Sequence, residues 1–423
     1  MNKTSTRKAS FWSSLIIFLS ILGPGIITGS VDNDVGGITT YSIAGAQYGY
    51  HLLWTLFPAF VVLVVVQEMN ARMGMVTGKG LADLIRENTG VKITFFIFLG
   101  LLTADIGNTM AEFAGVAGSM QIFGVSKYIS VPLVAVLVWI LVVKGTYKMT
   151  EKIFLIFSAF LLSYVISAVL AKPHWHTIGA ALLHPSLQYK FDYLTMVVGI
   201  IGTTIAPWMQ FYMQSAVIEK GLKMENYRYT VWDVIIGSVL TIVVAFFIIV
   251  ACASTLHSKH IQIQEAKDAA LALKPLAGAF ASQMFAFGLF VAAVFSATIL
   301  PLATAFYVCE AFGFEAGVDK KMKEAPQFYT LFTVIILIAV AVILIPSAPL
   351  IQIITWSQVI NGVLLPVVLV AMMLLVNNRE LMGEYVNRPF NNAIGWGTAV
   401  ILSCLSGMMI YSTIAHLFMR TAG

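Results

Sequence analysis

The chain has 423 residues, of which 59% are Ala, Val, Ile, Leu, Met, Phe, Trp, Tyr or Cys and only 11% are charged, whereas soluble domains are about half apolar and a quarter charged. A water-soluble globule is excluded, disorder is excluded by 28 Phe, and a lipid-exposed β-barrel would alternate instead of running apolar for twenty residues. The net charge of +5 comes from 25 Lys and Arg against 20 Asp and Glu with no long basic block, so no nucleic-acid partner is expected and the charge reports topology instead.

Windows of about 19 residues place spans near 21–50 (interrupted), 52–74, 93–123, 128–145, 152–171, 191–218 (interrupted), 231–256, 277–312, 328–346, 349–376 and 393–418. The expected fold is therefore an all-α, polytopic membrane protein of about 11 transmembrane helices, with no room for a soluble catalytic domain. One transport domain, 1–423, is expected. Residues 1–20 form a cytoplasmic lead-in without a cleavage pattern, and repeats of about 21–171 and 191–376 are followed by an extra helix at about 393–418. With the amino terminus in the cytoplasm and the carboxyl terminus outside, 18 of the 25 Lys and Arg fall on inner segments, as a plasma-membrane protein obeying the positive-inside rule requires. A short surface helix is expected over 261–273 in an outer segment. Cys252, Cys309 and Cys404 lie in or beside apolar runs and offer neither a disulfide framework nor a CxxC site.

Between Phe11 and Gln67 the only formal charges are Asp32 and Asp34, in the run Ser30-Val31-Asp32-Asn33-Asp34-Val35-Gly36-Gly37. If the second span ends near Glu68, the first runs from Gly23-Pro24-Gly25 to Tyr48–Tyr50, and both acids fall near the bilayer centre, where each costs about 2.5–3.5 kcal/mol. Gly36 and Gly37 weaken the helix there, so an unwound segment with freed carbonyls is expected. The plain alternative runs the span from Phe11 to Ser30 and lets the acids cap its outer end in water, but residues 31–50 are too apolar for a loop. A second interruption lies at Ile200-Ile201-Gly202-Thr203-Thr204-Ile205-Ala206-Pro207-Trp208-Met209-Gln210, where Pro207 removes a helix donor. Alone it reads as a kink. Paired with the first break in the matching span of the other half, it points to an inverted-repeat transporter with its site at the midplane.

At these residues the chain resembles the Nramp family of divalent-metal transporters, and the resemblance covers most of the chain to the tenth helix. It is carried by Gly23-Pro24-Gly25, Gly45-Ala46-Gln47-Tyr48-Gly49-Tyr50, Leu52-Leu53-Trp54, Ala71-Arg72-Met73-Gly74 and Val76-Thr77-Gly78-Lys79, then Ala111-Glu112, Gly202 to Pro207, Tyr212, Ser215-Ala216, and Ser357-Gln358-Val359 with Pro366. It implies a LeuT-like 5+5 inverted repeat with helices one and six broken. The departures are specific. The family's Asp-Pro-Gly-Asn aligns with Asp34, Val35, Gly36 and Gly37, so the asparagine ligand is gone, and its Met-Pro-His becomes Ala206-Pro207-Trp208. The family's Asp-x-x-Glu becomes Thr109-Met110-Ala111-Glu112, and 326–345 holds no arginine. These losses resemble the divergent branch of Nramp-related magnesium transporters.

The chemistry agrees with that placement. A thioether favours transition metals, so its loss removes discrimination against Mg²⁺, an ion that keeps several waters and is held through one or two carboxylates. The resemblance implies Asp34 as principal ligand and the Thr203 carbonyl from helix six, with Ala206 opening the cavity. Asp32 and Asn33 are expected to add a carboxylate and an amide, and Gln210 and Gln358 water-mediated contacts. Met209 is expected to be packing, and Glu68 with Arg72 a local pair. Glu112 and Asp105 share a face of helix three and are candidates for a proton or ion pathway. The expected function is uptake of Mg²⁺, with Mn²⁺, as transported substrates and not cofactors, by alternating access without obligatory proton coupling. The partners are the divalent ions and the lipid bilayer, with no obligate protein partner evident. Proton-coupled Mn²⁺ or Fe²⁺ symport is the alternative, and an amino-acid carrier of the same fold is disfavoured because two acids would repel a substrate carboxylate. No HExxH or GxSxG pattern supports an enzyme.

Overall fold

The computed structural model describes residues 22–183, 188, 190–263, 266–346 and 350–421, and among them there is no strand; the expected lead-in over 1–20 lies outside these residues. In chain order the helices are α1 Pro24–Val31, α2 Val35–Tyr48, α3 Leu56–Thr77, α4 Leu81–Thr89, α5 Val91–Ile122, α6 Lys127–Lys144, α7 Tyr147–Phe160, α8 Ser163–Leu170 and α9 Trp175–Leu183. They continue as α10 Phe191–Thr204, α11 Pro207–Glu219, α12 Tyr227–Thr255, α13 Ala266–Ala277, α14 Ala279–Phe312, α15 Pro326–Leu344, α16 Leu350–Val376, α17 Arg379–Met382 and α18 Pro389–Thr421.

Each of the eleven expected windows holds helix. Among the described residues, eight helices are long and apolar enough to cross a membrane, or nine if the pair bent by 62° after Val376 is one span. The first span escapes that test because its halves have only 8 and 14 residues. Helix starts follow backbone chemistry: Pro24, Pro207 and Pro326 each occupy a first turn, where the missing N–H costs nothing. Gly78 and Gly313 end α3 and α14 in the left-handed conformation. The surface helix expected over 261–273 is observed later, at Ala266–Ala277, because His260 turns left-handed (φ 54°) and ends the preceding turn.

The 34-residue α14 is the mast of the bundle, with 83% of its most apolar stretch buried, and it packs along α5. Helix α12 runs beside both α1 and α2. A methyl group on Gly25 would lie 2.7 Å from the Asp233 carbonyl carbon, and one on Gly29 would lie 2.7 Å from that of Gly237. Thr241 also donates its hydroxyl to the Gly29 carbonyl. Between membrane helices the driving force is close packing, which small residues permit. Gly29→Val is therefore expected to lower the melting midpoint in detergent, by the about 1–3 kcal/mol typical of overpacking. Gly397→Ala, with nothing within 4 Å, is expected to leave it unchanged; equal midpoints for both variants would refute the packing argument.

Both interruptions sit beside the residues expected to make them, not at them. Gly36 and Gly37 are in the first turn of α2, and the break is Asp32-Asn33-Asp34 before them. Asp34 takes an extended backbone (φ −69°, ψ 177°) and caps the new helix, so the glycines are the clearance, not the weak point. Similarly, α10 stops at Thr204, Ile205 and Ala206 form the break, and Pro207 begins α11.

Candidate functional site

Across the first break, the last carbonyls of α1 and the first N–H groups of α2 point toward the gap, as at any interrupted helix. The N–H groups are covered by acids. Gly37 donates to Asp34 Oδ1 at 2.6 Å, and Val35 donates to both oxygens of Glu112, on α5, at 3.3 Å. Asp32 has a different standing: it is 2% exposed, and neither carboxylate oxygen has a hydrogen-bond partner. Asp32 and Asp34 repel each other through space. Asn33 is fully buried and turns its amide to the Thr241 carbonyl of α12 at 3.4 Å.

The second break meets the first at Gly37. A methyl group placed there would lie 2.8 Å from the Asp32 carbonyl oxygen, 3.4 Å from Asp34 Oδ1 and 3.5 Å from Thr203 Oγ1. Nothing larger than glycine fits without moving the Asp32 backbone, so an asparagine has no room at this position. The Thr203 carbonyl would be claimed in an unbroken helix by residue 207, and that residue is proline with no N–H to give. Asp32, Asp34 and Thr203 are thus brought together.

The remaining expected residues lie elsewhere or face elsewhere. The Ala206 carbonyl turns into its own helix, accepting from Met209 N at 3.3 Å and from Gln210 Nε2 at 3.2 Å. The other end of the Gln210 amide accepts from Asn70 of α3 at 2.5 Å. Gln358 is on α16, and its side chain lies outside the described residues. Met209 and Trp208 are buried in the core. Asp105 is two turns from Glu112, and its carboxylate accepts from Asn108 at 3.1 Å and, on α14, from Thr304 at 3.2 Å and Tyr307 at 3.0 Å. Asn108 in turn receives Asn361 of α16 at 3.1 Å. Glu68 and Arg72 pair at 2.7 Å as expected, and the pair is extended by Tyr227, Asn387 and Asn391.

Asp233 escaped sequence reading, although an acid three residues into an apolar span was a signal. Its carboxylate accepts from Gly23 at 3.0 Å, Gly25 at 2.6 Å and Ile26 at 3.3 Å, which holds the start of α1 to α12 with charge matched to the helix dipole. Nearby, Lys220 donates to the Leu22 carbonyl at 2.8 Å and pairs with Glu151 of α7 at 2.6 Å. Below α1 remains a cavity of about 10 Å³ lined by Ile27, Glu151, Phe154, Tyr212 and Phe306, room for about one water.

Among the described residues, no group of three or more His, Cys, Asp and Glu is arranged to hold a metal. A cation at the breaks meets two carboxylates, helix-terminal carbonyls and whatever water it brings.

A family model described as natural resistance-associated macrophage protein-like (Nramp) matches residues 25–412. Proteins named divalent metal cation transporter MntH are similar along their length: that of Klebsiella pneumoniae is 26% identical, over 98% of this chain and 99% of its own, and that of Deinococcus radiodurans is 28% identical, over 94% and 90%. A crystal structure of the Eremococcus coleocola manganese transporter, in complex with an aromatic bis-isothiourea compound, superposes with a TM-score of 0.79 at 22% identity, covering 97% of this chain and 89% of that one. A Na⁺-coupled sialic acid symporter in its outward-open state superposes at 0.63 with 13% identity, over 92% and 90%. These structural likenesses establish the broken-helix transporter fold.

Proposed function

The chain belongs to the Nramp family, and on that premise we propose that it carries divalent cations, Mg²⁺ foremost and Mn²⁺ with it, by alternating access and without obligatory proton coupling. The observation that supports this most is Asp32: a second carboxylate in the break, buried and unpartnered beside Asp34. An uncompensated buried charge is costly, and a doubly charged ion is the compensation that two such groups accept. Ala206 offers no sulfur and Gly37 no amide, so only hard oxygen and the ion's own water are available, which suits Mg²⁺. In a plasma membrane with the amino terminus inside, a divalent ion gains about 4.6 kcal/mol per 100 mV, twice the single-charge value, so voltage alone drives uptake.

The test is uptake into proteoliposomes under an inside-negative potential with a lumenal pH dye. Mg²⁺ and Mn²⁺ are expected to enter without lumenal acidification, and Mg²⁺ to compete with Mn²⁺. Metal-driven acidification would overturn the uncoupled part, and failure of millimolar Mg²⁺ to compete would overturn the selectivity. One observation favours a second reading, proton-coupled Mn²⁺ symport: Glu112, buried against the break on the Val35 N–H, is a third acid within reach of the site, and the relatives reported above are named as manganese or divalent-metal transporters. The same experiment separates the two.

A further inference from the structure

We infer that Tyr41 receives hydrogen bonds from the water shell of the transported ion and so sets the preference for Mg²⁺ over Mn²⁺; this rests on the hydrated-ion reading above and names a residue that reading does not use. Tyr41 follows Gly37 by four residues on α2, so the two share a face, and that face meets α10: Gly37 against Thr203, and Tyr41 Oη 2.9 Å from Thr204 Oγ1. Thr204 Oγ1 is also 2.7 Å from the Ile200 carbonyl, which can only accept. A hydroxyl has one hydrogen, and that of Thr204 is taken by Ile200, so the hydrogen in the Tyr41 contact belongs to Tyr41. The phenol oxygen is left with acceptor lone pairs alone.

Tyr41 is fully buried, one turn after Gly37 on the face that meets the second break, and lies within electrostatic range of Asp32 and Asp34. The first break, which Gly37 brings against Thr203, holds the two unpartnered oxygens of Asp32. Carboxylates and an acceptor-only phenol form a set in which acceptors outnumber donors, the Thr203 hydroxyl being the nearby side-chain donor. What satisfies such a set is a positive species whose outer surface is all O–H or N–H. A bare cation offers no hydrogen to a phenol lone pair; a hydrated one offers two for every water. Mg²⁺ gives up water reluctantly, so it depends on acceptors for its shell more than Mn²⁺ does. An ammonium group is the other species that could meet the same acceptors.

The experiment compares Mg²⁺ and Mn²⁺ uptake by wild type, Tyr41→Phe, Thr204→Val, Thr204→Ser and Asp34→Asn in proteoliposomes, each also with ammonium chloride as competitor. Tyr41→Phe keeps the ring and is expected to raise KM for Mg²⁺ about tenfold, the loss of one charge-assisted hydrogen bond, with maximal rate within about twofold and KM for Mn²⁺ changed by less than about threefold. Thr204→Val, which removes the group that orients the phenol, is expected to shift KM the same way, and Thr204→Ser to restore wild-type values. Equal changes for the two ions, or a loss confined to maximal rate, would reduce Tyr41 to a strut between α2 and α10. Ammonium competing with wild type but not with Tyr41→Phe would assign the acceptors to an amine. Wild-type uptake by Asp34→Asn would sink the site reading itself, whatever Tyr41 does.

Discussion

Asp34→Asn is expected to fold and melt like wild type yet take up neither Mg²⁺ nor Mn²⁺, with initial rates at least about 100-fold lower. The two halves of that expectation come from two roles of one side chain. As the first residue before α2, Asp34 accepts the Gly37 N–H at 2.6 Å, and asparagine caps a helix as well as aspartate does. The break should therefore keep its shape. What the substitution removes is one negative charge facing the gap, and breaking a buried charge pair costs about 3–5 kcal/mol, each 1.4 kcal/mol being tenfold. Melting curves in detergent and uptake from the same preparation measure the two roles separately. Uptake within a few-fold of wild type would place the ion elsewhere; a collapsed melting midpoint would show that the carboxylate is structural. Alanine is the less useful variant, because it removes cap and charge together.

Asp32→Asn is expected to act in the opposite sense on stability and in the same sense on transport. Without an ion, Asp32 is a buried carboxylate with no partner beside a second carboxylate, an arrangement that costs free energy in the folded state. The metal-free variant is expected to melt higher than the metal-free wild type. Added Mg²⁺ should raise the melting midpoint of the wild type, because a ligand stabilises the state it binds by RT ln(1 + [L]/Kd). That rise should shrink or vanish in the variant, and Mg²⁺ uptake should fall about 30-fold, a little over 2 kcal/mol, with Mn²⁺ uptake falling less because it relies more on Asp34 directly. A metal-free variant no more stable than wild type would show that Asp32 is compensated without an ion, and an undiminished Mg²⁺ shift would remove it from the site.

The membrane class, the span order and the position of both breaks were legible in the chain because they are local. A helix crossing lipid needs about twenty apolar residues, so two acids among fifty-seven positions that are otherwise uncharged, and a proline within the sixth apolar span, declare themselves without reference to anything distant. The Glu68–Arg72 pair was legible for the same reason, being four residues apart on one helix.

Partners across the bundle were not legible, since hydropathy says which residues are buried and nothing about what they face. Asp105 and Glu112 look equivalent along the chain, two turns apart on one helix, yet tertiary packing turns Asp105 to Thr304 and Tyr307 and Glu112 to Val35. Gln210 has the chemistry of a ligand, but α3 brings Asn70 to its carbonyl oxygen. Asp233 and Gly25 are 208 positions apart, and only the contact of α12 with α1 makes one the cap of the other. Composition and spacing determined that two acids and two helix breaks would lie within the apolar spans. The folding of distant helices against each other decided which oxygens remain unclaimed there, because a hydrogen bond is spent on whichever neighbour arrives, and arrival is a property of three-dimensional packing alone.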